Sequence, residues 1–262
     1  MEAYEDTAIS ESKEPKVDST LFKGLSILET LAGSQSSMGV TELSNALGLT
    51  KSNTFRLLQT LSVLGYVRQK DDKSYLATLK TWQIGRAILD RLNLRELAAP
   101  EMQHLSKETG EAIYLAVPES LAVVYIDKID SAKPIRSWNP IGGSAPIHCV
   151  GTGKAILASN YAMLRSQLSG RLTRHTEHTI TNLKDLDADI DDTLRRGYAF
   201  DRGEFRDRIL SFGAAITLPS GEAIAALGIS LPDVNMPDKG ADWIGSLVMH
   251  AASSISARMM RR

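Results

Sequence analysis

The run Gly151-Thr152-Gly153-Lys154 has the ending of a phosphate-binding loop without its beginning. A P-loop needs glycine five residues ahead of its Gly-Lys pair and Ser or Thr behind it, so that backbone N–H groups cradle phosphate and a hydroxyl reaches Mg²⁺. Here those places hold His148 and Ala155, and the nucleotide reading fails at both. What survives is a loop leading into a helix, whose free N–H groups and positive dipole end favour an anionic group. The Thr152 hydroxyl can add a hydrogen bond, while Lys154 either joins it or points to solvent. Arg136 and Trp138, on an expected strand just upstream, are either a charge and an apolar wall for that site or an exposed arginine and a packed tryptophan.

Two further groups could do chemistry. His148 and Cys149 adjoin, but neighbours in a strand point to opposite faces and make a poor base–nucleophile pair. A buried small hydrophobe is the expected role of Cys149. His175, Glu177 and His178 lie in an expected loop, with no further Cys or His cluster and no complete zinc spacing, so a solvated loop is expected rather than a metal site. No nucleophile elbow or dinucleotide loop occurs. No catalytic residue, cofactor or metal is therefore expected, and a hydrolase-like enzyme with an N-terminal DNA- or protein-binding module is kept only as the alternative.

The elements with a clearer purpose lie near the N-terminus. Gly39 to Val67 reads as two short helices and a tight turn running into a strand. Thr41 is placed to cap the first helix, with Leu43 and Leu47 one turn apart; Gly48-Leu49-Thr50 makes the turn, and Thr50 caps the second helix. At 100° per residue, Phe55, Leu57, Leu58, Leu61 and Leu64 share one arc, and Ser52, Asn53, Arg56, Gln59 and Thr60 share the other. Gly65 falls where a helix ends with positive φ. Two strands follow, 66–70 and 74–77, around the polar turn Asp71-Asp72-Lys73. The pattern is a winged helix–turn–helix, built to place its second helix in a DNA major groove. Asn53 and Arg56 are the candidates for base edges and Lys51 and Ser52 for phosphate, while Arg68, Lys70 and Lys73 reach phosphate from the wing.

Charge supports this placement more by distribution than by sum. The 262 residues carry a formal net charge of −1. Residues 1–18 hold two Lys against six acids, whereas residues 19–80 hold seven Lys and Arg against four acids. The basic excess is mild, so one module would neutralise few phosphates, which favours a homodimer or a dimer of dimers. One cysteine excludes an internal disulfide. Residues 1–18 are acidic and polar, unlike a signal peptide, and no apolar run approaches the ~18 residues that span a bilayer. A cytoplasmic protein without a membrane partner is expected.

Four segments result: a disordered tail over 1–18, the winged helix–turn–helix over 19–78, a linker helix over 79–95, and a C-terminal α+β domain over 96–262. Leu21, Leu25, Leu28 and Leu31, with Ile27, mark the helix that packs on the helix–turn–helix. A helical connector over 79–93, joined directly to a helix at 95–109, transmits orientation better than a Gly/Ser linker would. Strands are expected at 112–117, 122–129 and 135–138, and as a hairpin at 212–218 and 223–231; helices are expected at 155–168, 185–196 and 243–260. Helices flanking a mostly antiparallel sheet make an α+β domain with room for a cavity at the sheet edge.

The winged helix–turn–helix, VVYIDKID (123–130), PIHCVGTGKAILA (146–158), RHTEHTIT (174–181) and GYAFDRGEF (197–205) resemble, in the same order, the IclR-type transcriptional regulators. The resemblance covers roughly residues 20–260. It implies a regulator binding double-stranded operator DNA as a dimer or dimer of dimers, and controlling catabolic genes as repressor or activator. It also implies a GAF- or profilin-like C-terminal domain binding a small organic acid. Carried over by position, the effector residues are Val150, Gly151, Thr152, Asp201, Ser211, Gly228 and Ser230. The chain departs from the family pattern twice. An acid pair usually follows the GYA-D segment and is Gly203-Glu204 here, and Ser211 stands where cysteine is frequent.

Overall fold

The computed structural model describes residues 18–90 and 94–259, which divide between two compact units, Met1–Arg91 and Leu92–Arg262. Apart from Asp18, the expected tail lies outside the described residues, as do Arg261 and Arg262. No helix among the described residues is long and apolar enough to cross a membrane.

In the first unit, helix α1 (Ser19–Gly33) starts at Asp18, whose carboxylate accepts from Thr20 N and Leu21 N at 3.0 and 2.8 Å. Its buried face is Ile27, Leu28 and Leu31; Leu21 and Leu25, expected in the same stripe, are exposed. Helix α2 (Val40–Leu47) is capped differently from expectation. Its N-cap is Gly39, whose N–H donates to the Glu42 carboxylate at 2.7 Å, and Thr41 lies inside the first turn. Gly48, at φ 63°, turns the chain into α3 (Lys51–Val63), where the Thr50 hydroxyl accepts from Asn53 N at 3.3 Å.

The apolar arc of α3 is rotated from the expected one. Thr54 is fully buried beside Leu57, Leu58 and Leu61, while Phe55 is 44% exposed and Leu64 also faces out. The reason is local: the Thr54 hydroxyl donates to the Thr50 carbonyl one turn back, at 3.1 Å, so only its methyl needs an apolar place. Gly65, at φ 78°, ends the helix as expected. Strands β1 (Val67–Gln69) and β2 (Tyr75–Ala77) pair antiparallel, and Met38 adds an isolated antiparallel bridge to Tyr75. Ile27, Leu43, Leu58 and Tyr75 close one core, giving a winged helix–turn–helix. Helix α4 (Lys80–Asp90) follows within the expected linker; residues 91–93 lie outside the described ones.

The second unit begins with α5 (Leu94–Thr109), then β3 (Ala112–Glu119), β4 (Ala122–Ile129) and the short β5 (Ser144–Pro146). Helices α6 (Gly151–Ser159), α7 (Tyr161–Leu164) and α8 (Leu183–Arg196) lead to β6 (Ala199–Arg202), β7 (Ile209–Thr217), β8 (Ala223–Pro232) and α9 (Gly240–Met259). The six strands form one sheet in the order β5-β4-β3-β8-β7-β6, every neighbouring pair antiparallel. Helices α5 and α9 pack on one side and α6 and α8 on the other, so β3 is buried on both faces from Ala112 to Ala116. The whole is an α+β domain.

Three expectations are corrected. Residues 135–138 form no strand: Pro134 and Pro140 bracket them, and the Asn139 N–H donates to the Tyr114 hydroxyl at 3.0 Å instead of to a sheet neighbour. The helix expected over 155–168 starts at Gly151 and ends at Ser159, because the Asn160 side chain bonds both Ala223 O and Ala223 N, at 2.9 and 3.0 Å, and ties the helix end to β8. The segment at 199–202, not expected as a strand, is the edge strand β6.

Candidate effector pocket and nucleic-acid interface

On α3, Lys51, Ser52 and Arg56 are exposed and Asn53 is half-buried. Arg56 Nη2 donates to Asn53 Oδ1 at 3.3 Å, so these two side chains stand together one turn apart. In the wing, Arg68, Lys70 and Lys73 are exposed, and Lys73 takes φ 64° at the turn. Asp72 crowds this cationic group: its carboxylate is 4.0 Å from Lys70 Nζ, and hydrogen bonds from Ser74 hold it below the usual carboxylate range. The wing offers a smaller net charge than its three cations suggest.

In the second unit, the start of α6 lies directly on β7. A Cβ on Gly213 would come within 2.1 Å of the Gly151 carbonyl oxygen, and one on Gly151 within 2.7 Å of the Phe212 backbone. Only hydrogen atoms fit between the two chains, so these glycines are fixed by close approach. The contact carries a row of hydrogen bonds. Gly151 N–H donates to Ser211 Oγ at 2.9 Å, and the Ser211 hydroxyl donates to Asp201 Oδ2 at 2.7 Å. Glu204 N–H donates to Asp201 Oδ1 at 2.7 Å. The sheet register places Asp201 opposite Ser211 and Ser211 opposite Ser230, one row across β6, β7 and β8. Ser230 donates to Ser137 at 2.9 Å.

This row borders a small cavity that opens to solvent. Val150, Thr152, Asp201, Ser211, Gly228 and Ser230 line it; Gly151 does not, since its N–H is spent on Ser211 and its α-carbon lies against β7. The helix start therefore does not present Gly151 to an anion, contrary to the expectation from sequence. Gly228 and Thr152 share one space: a Cβ at Gly228 would meet the Thr152 methyl at 2.5 Å. The lining also includes Tyr114, Tyr125, Ser137, Asn139 and Arg206, with Phe205, Ile209, Phe212 and Ile229 as apolar wall. Sequence reasoning missed these. Ser137 sits between Arg136 and Trp138, the two residues it considered; Trp138 is instead 54% exposed, with Lys128 Nζ 5.0 Å from its ring centre. The facing tyrosines of β3 and β4, rings 4.9 Å apart, were the available signal, since two large polar-tipped residues on paired strands need polar company.

Burial dominates the electrostatics. It pushes Asp201 up to about 7, against the opposing pull of the Ser211 and Glu204 hydrogen bonds. Lys154 neither joins the cavity nor reaches solvent. It is fully buried, paired with Glu204 and, at 3.0 Å, with Asp189 of α8. Glu204 is accordingly engaged by a lysine, and burial still raises it above the usual range. Cys149 is buried, its thiol raised by desolvation and by Asp201, the reverse of nucleophile activation. His148 is lowered by burial and lies 3.3 Å from the Thr173 carbonyl. His175 packs edge-on against Phe205, 5.1 Å between ring centres. Among the described residues no group of three or more His, Cys, Asp or Glu is placed to hold a metal ion.

Comparison with known proteins agrees with this anatomy. Residues 20–71 match the model of the IclR helix-turn-helix domain, and residues 86–257 that of the bacterial transcriptional regulator IclR C-terminal domain. The chain is 32% identical to the HTH-type transcriptional regulator KdgR of Escherichia coli over 250 residues, covering 94% of this chain and 95% of that one. It is also 32% identical to the transcriptional repressor IclR of Escherichia coli over 242 residues, 90% of this chain and 88% of the relative. The Thermotoga maritima IclR crystal structure superposes with a TM-score of 0.76 at 27% identity, covering 92% of this chain and 98% of that one. An IclR homolog from Microbacterium hydrocarbonoxydans, crystallised with 4-hydroxybenzoate, shares the fold with a TM-score of 0.80 at 21% identity, covering 93% and 100%. These relatives are transcription regulators, and the hydrolase alternative finds no support among them. A winged helix–turn–helix joined to this α+β domain, matched by both family models over most of its length, makes the chain a member of the IclR family, a ligand-responsive DNA-binding transcriptional regulator.

Proposed function

We propose that the protein controls catabolic genes from a pseudo-palindromic operator in the cytoplasm, acting as a homodimer or a dimer of dimers. Two copies of α3 enter successive major grooves of double-stranded DNA, with Asn53 and Arg56 on base edges and Lys51 and Ser52 on phosphate. Arg68, Lys70 and Lys73 add phosphate contacts from the wing. The effector is a small organic acid held against Val150, Thr152, Asp201, Ser211, Gly228 and Ser230, with Gly151 acting through Ser211. It shifts operator affinity because it binds one arrangement of the DNA modules better than another, the segment over 79–95 being the link.

The observation that carries the effector reading is the buried Asp201, fixed by two hydrogen bonds at the edge of a polar cavity. An acid poised near 7 repels a bare anion when ionised and can bond a hydroxyl in either state, so hydroxy acids suit the cavity better than plain carboxylates. The test is a thermal-shift screen against hydroxy, keto, sugar and aromatic acids. A ligand at 100 times its dissociation constant stabilises by about 2.7 kcal/mol, a rise of roughly 5–10 °C for a domain of this size. Operator affinity is then measured with and without each hit. A ligand that stabilises the protein and leaves operator affinity unchanged at saturation sinks the allosteric reading.

A further inference from the structure

Arg206 is the one Lys or Arg side chain among the residues lining the cavity. Its neighbours are otherwise occupied: Arg208 is paired with Asp233 at 3.1 Å, and Arg202 lies over the Phe200 ring. Arg206 Nη1 donates to the Trp138 carbonyl at 2.8 Å, and its guanidinium carbon is 5.5 Å from the Phe205 ring centre. Among the described residues no carboxylate forms an ion pair with it. One donor is thus spent on fixing the group and the others are left for a ligand, the state in which a planar guanidinium best receives a carboxylate.

The buried side of the cavity, at Asp201, is unsuited to that charge. Gly151 N–H is committed to Ser211, and Asp201 stands beside it with its oxygens accepting from Ser211 and Glu204. We infer that Arg206 is the carboxylate-binding residue of the effector pocket, and that the effector is a hydroxy acid lying with its carboxylate at Arg206 and a hydroxyl toward Asp201. Phe205, Ile209 and Phe212 supply apolar wall in the same cavity. The inference rests on the cavity being the effector site. It adds a polarity to that site: cation at the open side, acid at the buried side.

The experiment is calorimetric titration of the full-length protein with two acids, 4-hydroxybenzoate and D-gluconate, and their neutral counterparts, 4-hydroxybenzamide and sorbitol. The proteins compared are wild type, Arg206→Gln, Arg206→Lys and Asp201→Asn. Glutamine keeps a donor for the Trp138 carbonyl and loses the charge. At least one acid is expected to bind the wild type. Arg206→Gln weakens that acid roughly 10- to 100-fold, the worth of a charged hydrogen-bonded pair, and leaves its neutral counterpart unchanged. Arg206→Lys recovers part of the loss. Equal losses for acid and neutral counterpart overturn the inference, because Arg206 then only holds the 130–143 segment in place. An acid weakened by Asp201→Asn and indifferent to Arg206→Gln also overturns it while leaving the pocket reading intact. Binding of neither acid to the wild type overturns both.

Discussion

Lys154→Met isolates the buried charge cluster behind the pocket. Lys154 has no exposed side-chain surface, and its two partners, Glu204 and Asp189, are 6% and 15% exposed. Methionine matches the lysine stem in length but leaves both carboxylates without their cation. Both carboxylates lose, since Glu204 Oε2 and Asp189 Oδ2 are buried without a hydrogen-bond partner, and Glu204 is the more buried of the two. Removing one member of a buried pair costs about 3–5 kcal/mol, because the remaining charge stays desolvated. For a domain of this size that is a fall in Tm of roughly 6–20 °C.

The pH dependence gives the sharper test. Burial already raises Glu204 and Lys154 opposes the rise, so in the variant the folded-state pKa moves further above the unfolded value of 4.5. The folded state then holds a proton that the unfolded state has released. Stability is therefore fullest below the unfolded pKa and is lost as pH rises toward the folded one. Scanning calorimetry between pH 5 and 8 should show the deficit of Lys154→Met widening with pH. Adding Glu204→Gln should recover a large share of it at pH 8. A deficit under about 1 kcal/mol, flat with pH and indifferent to Glu204→Gln, would refute the view that this pair is electrostatically coupled, since a buried uncompensated charge costs several times that.

Two further outcomes follow from single sites. Asp201 is held near 7 in the folded protein against an ordinary 3.8, so its contribution to stability declines as pH rises between those values. Asp201→Asn should remove that decline, up to about 4 kcal/mol at pH 8, and denaturation curves of the two proteins should converge near pH 4. Arg56→Ala should weaken binding to the specific operator by about 1–3 kcal/mol and relax preference at one base position; equal losses on operator and random DNA in an anisotropy assay would reassign Arg56 to phosphate.

Much of the first unit was legible because its signals are local. Thr50 capping α3, Gly48 and Gly65 at positive φ, and the paired strands of the wing each depend on residues a few positions apart. The misreadings there are one-residue rotations: Thr54 replaces Phe55 in the core, and Glu42 rather than Thr41 completes the cap of α2. A threonine that bonds its own helix backbone counts as apolar, and no hydropathy arc registers that. The strand misplaced at 135–138 shows the same limit, since a long-range donor–acceptor pair, Asn139 to Tyr114, settled its backbone.

By itself the sequence determined the modules, their order and six of the fifteen residues lining the pocket, because helix periodicity, turn chemistry and the family-like segments are written along the chain. Only the tertiary structure decided what those residues face. It set Gly151 against β7 instead of a ligand, drew Lys154 inward to Glu204 and Asp189, and brought Arg206 and Ser137 to a cavity shared with Tyr114 and Tyr125. The pairing partners lie tens of residues away in sequence, and their contacts arise from sheet register and helix-on-sheet approach. A lysine in a loop-to-helix junction can face an anion, water or a buried acid, and the packed fold chose the last.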